Sequence, residues 1–322
     1  MGEAKDKVKA VVFEDNQLRV VTIPAPQPAP DEVLIRPRMM GICNTDIELT
    51  RGYKSFRGVL GHEFVGEVIE GPAEWVGKRV VGEINISCGS CDMCERGIPS
   101  QCRKRLILGM SDYDGAFCEQ FRLPVRNLWQ VPNSVADDEA VFAEPLAAAC
   151  QVLESVDILP SDHVVVLGAG KLGLLVAQAL WIAGADVSVV VRREQPAALL
   201  SSLNIRTIPG EEKPDHMADC VVDCTGSAEG FAAALEWVRP RGTIVLKSTY
   251  HGLPQADLTS IAVNEIHVVG SRCGPFKTAL ELLKMGLLTL RPMITAQYTL
   301  DEAAAAFEAA EVPGALKVVM TL

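Results

Sequence analysis

Short apolar runs separated by glycine and proline dominate the first part of the chain. Residues 8–13, 18–23 and 33–40 are rich in β-forming side chains, and turn residues interrupt the sequence every few positions between them. This pattern predicts a domain of short strands and loops. An alanine-rich stretch, 137–156, then predicts an amphipathic helix that Pro145 breaks or kinks.

From residue 164 onward, continuous apolar runs alternate with helical stretches. Runs without polar alternation are typical of parallel strands buried on both faces, and a β-α-β order predicts an α/β fold with a doubly wound parallel sheet. The predicted strands are 164–167, 187–191, 220–224, 243–246, 267–269 and 316–322, and the predicted helices are 172–183, 228–238, 277–285 and 300–311.

Length and charge narrow the functional class. A chain of 322 residues, 48% apolar and 22% charged, fits two compact domains. The net charge is −11 and the sequence has no long basic run, so we expect no nucleic-acid partner. The N-terminus is charged and lacks an apolar signal segment, and runs such as 172–185 are too short for a bilayer. We therefore expect a cytoplasmic protein with no membrane partner.

Four of the ten cysteines fall within residues 88–102. Their spacing, Cys-x2-Cys-x2-Cys-x7-Cys, suits one tetrahedral zinc bound by four thiolates. Such a site leaves no position for water or substrate, so its zinc would be structural and would stabilise a loop with little core of its own. The alternative is a loop of reduced cysteines without metal. The four residues are Cys88, Cys91, Cys94 and Cys102.

A glycine-rich turn, G-A-G-K-L-G, joins the predicted strand 164–167 to the helix that follows. In this context Gly168 permits a tight turn, Gly170 lets the backbone approach a pyrophosphate, and Gly173 lets the helix pack close to the strand. The free amides at the helix N-terminus, at Lys171 and Leu172, would face the phosphates. The sequence thus predicts a dinucleotide site.

The end of the next predicted strand indicates which dinucleotide is bound. An NAD-binding domain usually carries an acidic residue about 20 residues past the glycines, where it accepts hydrogen bonds from the ribose. Here the strand ends in Arg192 and Arg193. A guanidinium can pair with a 2′-phosphate through a bidentate fork. We predict NADP(H); the alternative is NAD(H), with Glu194 reaching back to the ribose.

A third set of candidate residues is scattered along the chain: Cys43, His62, Glu63 and Glu144. A catalytic zinc needs about three protein ligands and one open position, which a thiolate, an imidazole and a carboxylate would provide. Alone, each residue is more simply interpreted as a buried cysteine, a core histidine or a helix-end carboxylate. Beside a closed four-cysteine site and a dinucleotide turn, a second metal site is the better interpretation.

In this combination the chain resembles the zinc-dependent medium-chain dehydrogenases/reductases, the alcohol and polyol dehydrogenase family, in their sorbitol- and threonine-dehydrogenase-like branch. The similarity extends over essentially the whole chain. It rests on the glycine turn, the four-cysteine segment and three short motifs: Gly41-Ile42-Cys43-Asn44-Thr45-Asp46, Gly61-His62-Glu63-Phe64-Val65-Gly66 and Glu144-Pro145-Leu146.

The resemblance implies a GroES-like catalytic domain over 1–145, a Rossmann domain over 146–274 and a segment, 275–322, that returns to the catalytic domain. It implies two zinc ions per chain, a small alcohol or polyol as substrate and a homodimer or homotetramer. One departure is Glu48, which stands where many polyol and threonine dehydrogenases carry a histidine.

The resemblance also implies roles for the scattered residues. The catalytic zinc would bind Cys43, His62 and Glu144, and Glu63 would be a neighbouring carboxylate that can swing onto the metal. Thr45 would supply the hydroxyl that passes the alcohol proton outward.

The expected function is hydride transfer between a nicotinamide cofactor and a primary or secondary alcohol, a polyol or a sugar. Two alternatives stay open: a dehydrogenase of a bulky secondary alcohol in a biosynthetic pathway, and a non-catalytic relative that binds NADPH or a protein partner. Outside the motifs, Lys247 follows the strand 243–246 and is interpreted as a solvated strand-end residue.

Overall fold

A computed structural model describes residues 6–210, 212–249 and 255–322. The chain divides into two compact units. Unit 1 comprises the described residues up to Glu144 together with Ala279–Leu322, and unit 2 is Pro145–Thr278. No helix in the described part of the chain is long and apolar enough to cross a membrane.

The first part of unit 1 consists of short strands with three short helices. The strands are β1 (Lys7–Glu14), β2 (Gln17–Pro24), β3 (Glu32–Gly41), β4 (Gly58–Val59), β5 (Glu63–Glu70), β6 (Arg79–Gly82), β7 (Asn85–Ile86), β8 (Leu106–Ile107), β9 (Phe121–Pro124) and β10 (Leu128–Gln130); the helices are α1 (Asn44–Thr50), α2 (Asp92–Glu95) and α3 (Asp137–Ala140).

The remaining elements continue in chain order. Helix α4 (Ala143–Ser155) leads into β11 (His163–Leu167), α5 (Lys171–Ile182), β12 (Asp186–Val191), α6 (Glu194–Ser202), β13 (Arg206–Pro209), β14 (Ala218–Asp223), α7 (Ala228–Trp237), β15 (Val238–Leu246), α8 (Leu258–Val263) and β16 (His267–Gly270). Helix α9 (Phe276–Met285), strand β17 (Ile294–Thr299), helix α10 (Ala303–Glu311) and strand β18 (Lys317–Thr321) follow.

The larger sheet of unit 1 has the order β10-β6-β5-β3-β18-β17, and β9 also pairs with β3. Strands β3 and β5 are antiparallel, with Gly41 opposite Glu63. Strand β18 is antiparallel to β3 and places Val319 opposite Gly41. The end of β3, the start of β5 and part of β18 therefore lie side by side, although they are far apart in the sequence.

Unit 2 is built on one six-stranded sheet. Its strand order is β13-β12-β11-β14-β15-β16, and all five neighbouring pairs are parallel. The four residues Val164–Leu167 of β11 are buried, as expected for a central strand covered on both faces. The structure confirms the predicted α/β class with a doubly wound parallel sheet, whose order reverses between β11 and β14, where such folds bind ligands.

The prediction that Pro145 breaks the alanine-rich helix is wrong. The break between α3 and α4 lies at Val141 and Phe142, and Pro145 is the third residue of α4. Amide groups in the first turn of a helix have no intrahelical partner, so the missing N–H of proline removes no hydrogen bond there.

The interpretation of Lys247 as a solvated residue is also wrong. Its side chain is buried, and Nζ donates to the carbonyl oxygen of Arg272 at 2.6 Å and to Ser271 Oγ at 3.2 Å. The lysine fixes the segment after β16 against the end of β15, because a buried ammonium must keep hydrogen-bond partners.

Candidate metal centres and cofactor site

Three candidate ligands meet where α1 and β5 begin. Cys43 caps the N-terminus of α1, and His62 and Glu63 stand at the start of β5. The Cys43 sulfur, a ring nitrogen of His62 and a carboxylate oxygen of Glu63 all lie within 4.8 Å of one another. His62 and Glu63 are only 2% and 1% exposed. The fourth candidate, Glu144, lies outside this group in the first turn of α4.

Asp46 organises two of these ligands, a role that the sequence motifs did not suggest. Its Oδ2 accepts a hydrogen bond from the Cys43 amide at 2.9 Å, and its Oδ1 lies 3.2 Å from His62 Nδ1. Burial lowers the pKa of His62, but the Asp46 charge and then the Cys43 charge outweigh it and raise that pKa well above its usual value. A carboxylate on Nδ1 leaves Nε2 as the nitrogen that can bind a metal.

Asp46 Oδ1 and His62 Nδ1 face each other without forming a hydrogen bond. Neither atom makes a hydrogen bond of good geometry to any described residue. An acidic oxygen facing a buried imidazole nitrogen is the arrangement that supports a metal-bound histidine. The donor set of one thiolate, one imidazole and one carboxylate suits a catalytic zinc with an open position.

Thr45 is positioned next to this group. It is the second residue of α1, and its Oγ1 lies 3.8 Å from the Cys43 sulfur. Glu48, further along the helix, forms an ion pair with Arg51 at 3.2 Å, and Arg51 in turn pairs with Glu311 at 2.6 Å. Glu48 therefore contributes to a surface network on this helix.

A buried lysine contacts the ligand group from β18. Lys317 Nζ donates to Glu63 Oε2 and lies 5.7 Å from the centre of the Phe142 ring. The sequence analysis missed Lys317. The available signal was a single charged residue in an otherwise apolar strand segment, 316–320, because a charge at a core-facing position requires a partner.

The four-cysteine segment forms a separate group. The sulfur atoms of Cys88, Cys91, Cys94 and Cys102 lie within 4.8 Å of one another. Backbone amides point at these sulfurs: the amides of Cys88 and Lys104 donate to the Cys102 sulfur at 3.3 and 3.4 Å. The Ser90 amide, followed by the Cys102 thiol, lowers the pKa of Cys88 to about 6. These donors favour the thiolate of Cys88, the form that binds zinc, whereas burial raises the pKa of the Cys94 thiol to about 11.

The glycine turn of unit 2 borders a cavity of about 360 Å³. Gly168 has a φ of +97°, which favours glycine. A Cβ at Gly173 would lie 1.8 Å from the Gly168 carbonyl oxygen, so the helix approaches the turn too closely for a side chain. Gly170 caps the N-terminus of α5, with open space where its Cβ would be; Lys171 and Leu172 begin the helix.

Both predicted arginines line the same cavity as the glycines. Arg192 and Arg193 do so from the end of β12, and Glu229 does so from the first turn of α7. The cavity also reaches Trp237, whose buried Nε1 has no hydrogen-bond partner among the described residues. Neither Glu229 nor Trp237 was found from the sequence, because nothing in a helix pattern shows which positions face a cavity.

Comparisons with known proteins agree with these features. Residues 29–133 match the alcohol dehydrogenase GroES-like domain, and residues 172–285 match the zinc-binding dehydrogenase domain. An uncharacterized zinc-type alcohol dehydrogenase-like protein from Haemophilus influenzae is 30% identical, over 90% of this chain and 91% of its own. The chain belongs to the zinc-dependent medium-chain dehydrogenase/reductase family. This confirms the resemblance proposed from the motifs.

Other family members extend the comparison. A sorbitol dehydrogenase from Halalkalibacterium halodurans is 29% identical, over 92% of this chain and 94% of its own. A putative zinc-binding dehydrogenase from Sinorhizobium meliloti, solved with NADP, is 27% identical with a TM-score of 0.89, covering 99% of this chain and 100% of its own. A short chain alcohol dehydrogenase from E. coli CFT073, solved with NADH, is 27% identical with a TM-score of 0.91 and the same coverage. The family therefore indicates zinc and a nicotinamide cofactor, and it contains proteins that bind either form of the cofactor.

Proposed function

We propose that this chain is a zinc-dependent dehydrogenase that interconverts an alcohol, polyol or sugar with the corresponding aldehyde or ketone. The observation that carries the proposal is the group formed by Cys43, His62 and Glu63, with Asp46 behind the first two. A non-catalytic relative needs only the four-cysteine site. A second, dissimilar ligand group with an organising carboxylate favours an enzyme.

In this proposal Cys43 and His62 bind the catalytic zinc together with Glu144, and Glu63 is a neighbouring carboxylate that can swing onto the metal. The residues Cys88, Cys91, Cys94 and Cys102 bind a structural zinc. The bound catalytic metal would act as a Lewis acid that makes the substrate alcohol more acidic. Thr45 Oγ1, close to the Cys43 sulfur, receives the alcohol proton and passes it outward. Asp46 keeps the His62 ring oriented with Nε2 toward the metal.

NADP(H) is the proposed cofactor, and two arginines support it. Arg192 and Arg193 line the cavity beside the glycine turn, whereas Glu194 is not among the described residues that line it. Among the described residues that line the cavity, the one carboxylate is that of Glu229, whose pKa its own backbone amide lowers most, with Arg192 contributing. A cavity that presents two guanidiniums suits a 2′-phosphate better than a free hydroxyl.

The cofactor proposal is tested by the ratio of kcat/KM for NADP+ and NAD+ on a panel of alcohols, polyols and sugars. We expect NADP+ to be preferred, and Arg192→Ala with Arg193→Ala to lower kcat/KM for NADP+ by roughly 10- to 100-fold while NAD+ changes little. Arg206→Ala is the matched control, since Arg206 forms an exposed pair with Asp186. A preference for NAD+ in the unmodified protein would contradict the proposal.

Assembly and location complete the proposal. Strand β16 forms one edge of the unit 2 sheet and exposes Val268. We infer that two copies pair along this edge to give a homodimer, or a homotetramer through a second contact, which sedimentation equilibrium would test. None of the ten cysteines, all of which lie in the described part of the chain, forms a disulfide, and we infer a reducing, cytoplasmic location.

A further inference from the structure

Lys247 is a buried lysine at the carboxyl end of the unit 2 sheet. It follows directly after β15 and is only 7% exposed. Its Nζ donates to the carbonyl oxygen of Arg272 at 2.6 Å and to Ser271 Oγ at 3.2 Å. A methionine would fill the same space without the loss of hydration that a buried ammonium suffers. The presence of a charge at this position therefore points to a task beyond packing.

The lysine stands where the ends of three strands are joined. Its amide donates to the Asp223 carbonyl oxygen at the end of β14, at 3.0 Å, and the Ser271 amide donates to the Leu246 carbonyl oxygen at 3.0 Å. These main-chain bonds connect β14, β15 and the start of the segment that follows β16. The lysine side chain adds a second connection between β15 and that segment, residues 271–274.

Segment 271–274 is held from its other end by helix α4. A Cβ at Gly274 would lie 1.8 Å from the carbonyl oxygen of Ala147, so the segment lies directly on the helix backbone. Burial raises the pKa of the Cys150 thiol on α4 to about 12, and the Lys247 charge opposes that rise. The lysine, α4 and segment 271–274 therefore form one packed group within unit 2.

The order of the strands shows which half of the cofactor would meet this group. A dinucleotide lies across the point where the strand order reverses, here between β11 and β14, with its pyrophosphate at the glycine turn. The cavity beside that turn joins Gly168 and Gly170 to Arg192 and Arg193, which suit the pyrophosphate and the adenosine half. We therefore expect the nicotinamide half over the ends of β14, β15 and β16, on the side of Lys247.

We propose that Lys247 is a positioning residue for the nicotinamide half of the cofactor. Segment 271–274 has no regular structure, and the two bonds of the lysine fix its backbone at Ser271 and Arg272. A wall that is already in place requires less ordering when a ligand binds, and this raises affinity. The inference rests on the proposed function in requiring a nicotinamide cofactor, but it does not depend on the choice between NADP(H) and NAD(H).

The test compares the whole cofactor with a fragment that lacks nicotinamide. Isothermal titration calorimetry of the full-length protein measures Kd for NADPH and for 2′-phospho-ADP-ribose. In Lys247→Met we expect Kd for NADPH to rise by roughly tenfold or more and Kd for the fragment to stay within about twofold. Lys213→Met is the matched control, since Lys213 forms an exposed ion pair with Glu236. Equal weakening of both ligands, or of neither, would overturn the inference.

The fluorescence of bound NADPH supplies a readout that a general loss of stability would not change. Reduced nicotinamide emits more strongly when its ring is immobilised away from water. At saturating NADPH, we expect the emission per bound molecule to be lower in Lys247→Met than in the unmodified protein and in Lys213→Met. Undiminished emission from Lys247→Met would show that the ring is held without the lysine.

Gly274→Ala moves the same segment while the lysine stays intact. The new methyl group would collide with the Ala147 carbonyl oxygen, so the segment must shift, and we expect the same selective loss of NADPH affinity. Gly270→Ala is the control, because a Cβ there meets nothing within 4 Å. A loss in Gly274→Ala that is as large for the fragment as for NADPH would contradict the proposal.

Ser271→Ala decides the matter if the other variants do not fold. It removes one acceptor of the lysine and adds no atoms. We expect Kd for NADPH to rise by about threefold, with Kd for the fragment unchanged. An unchanged Kd for NADPH would count against the role of the lysine.

The unmodified protein separates this inference from the proposed function. The same titrations are made with NADH and ADP-ribose. Tighter binding of NADH would refute the choice of NADP(H) and leave the test of the lysine intact with the second pair of ligands. No binding of any of the four ligands would refute both proposals. Binding of a cofactor and its fragment, without a selective effect of Lys247→Met, would refute only the role of the lysine.

Discussion

The two candidate metal centres are built in opposite ways. The four-cysteine site takes all of its ligands from residues 88–102, a segment with little regular structure beyond α2 and a short 3-10 turn at Pro99–Gln101. The Cys43 and His62 site takes its ligands from the starts of α1 and β5, and its counter-charge comes from Lys317, 254 positions after Glu63. We therefore expect a metal to organise the first candidate site, whereas the fold organises the second.

The two sites also differ in the groups that surround their candidate ligands. In the four-cysteine site, two backbone amides donate to the Cys102 sulfur. In the other site, buried ionic side chains surround the ligands: Asp46 faces His62, and Lys317 faces Glu63. Removing a ligand should therefore affect folding in the first site and chemistry in the second.

The largest expected effect is on turnover. His62→Ala removes a ligand of the proposed catalytic zinc, and we expect kcat/KM to fall by about 10³-fold or more, since Lewis-acid stabilisation contributes several kcal/mol. Elemental analysis should show the loss of one zinc per chain, while the cofactor still binds in a fluorescence titration. His163→Ala is the matched control, because His163 contacts Ser188 in unit 2. Full activity of His62→Ala would remove the distinction between the two centres.

The next effect concerns stability. Cys91→Ser should lower the free energy of unfolding by about 3 kcal/mol, because the four-cysteine segment depends on its metal for structure. We expect a Tm lower by roughly 5–10 °C, which differential scanning calorimetry would measure, with turnover per folded molecule nearly unchanged. The buried thiol of Cys220 offers a control, since Cys220→Ala should keep both zincs. An inactive but equally stable Cys91→Ser protein would reverse the assignment.

A smaller effect is expected on zinc affinity when Asp46, which contacts the proposed ligands Cys43 and His62, is changed. Asp46→Asn keeps the shape of the side chain but loses the negative charge that faces His62 Nδ1. The affinity of the catalytic site for zinc should fall by about 10- to 100-fold, as measured by competition with a chelator, while the four-cysteine site keeps its zinc. Asp301→Asn serves as the control, since Asp301 forms an exposed pair with Lys9. Equal weakening of both sites would show a general loss of structure instead.

The smallest effect is expected at Gly41. Gly41→Ala brings a methyl group against the end of the Glu63 side chain, which can move, so stability should change by less than about 1 kcal/mol. A urea-unfolding titration of both proteins would measure this change. Gly270→Ala is a suitable control, because a Cβ there meets nothing within 4 Å. A loss of stability above about 3 kcal/mol would show that the Glu63 side chain cannot move away from a methyl group at this position.

Most of the fold and part of the site could be predicted from the sequence, for physical reasons. Apolar runs without alternation indicated the parallel sheet correctly, because strands buried on both faces admit few polar residues. The spacing of Cys88 to Cys102 showed which residues could share a metal, since a short loop keeps them near one another. Lys317 could not be predicted as a partner of Glu63, because their contact depends on the pairing of β18 with β3. Lys247 was misinterpreted for the same reason: only the tertiary structure supplies its carbonyl partner.

The pairing of β18 with β3 also sets an order of events during synthesis. Cys43, Asp46 and His62 leave the ribosome long before Lys317, whose strand cannot join the sheet until some 254 further residues have followed Glu63. The four cysteines, by contrast, are all available as soon as residue 102 emerges. We therefore expect the nascent chain to take up the proposed structural metal early, whereas the buried contact between Glu63 and Lys317 cannot form before β18 has been made.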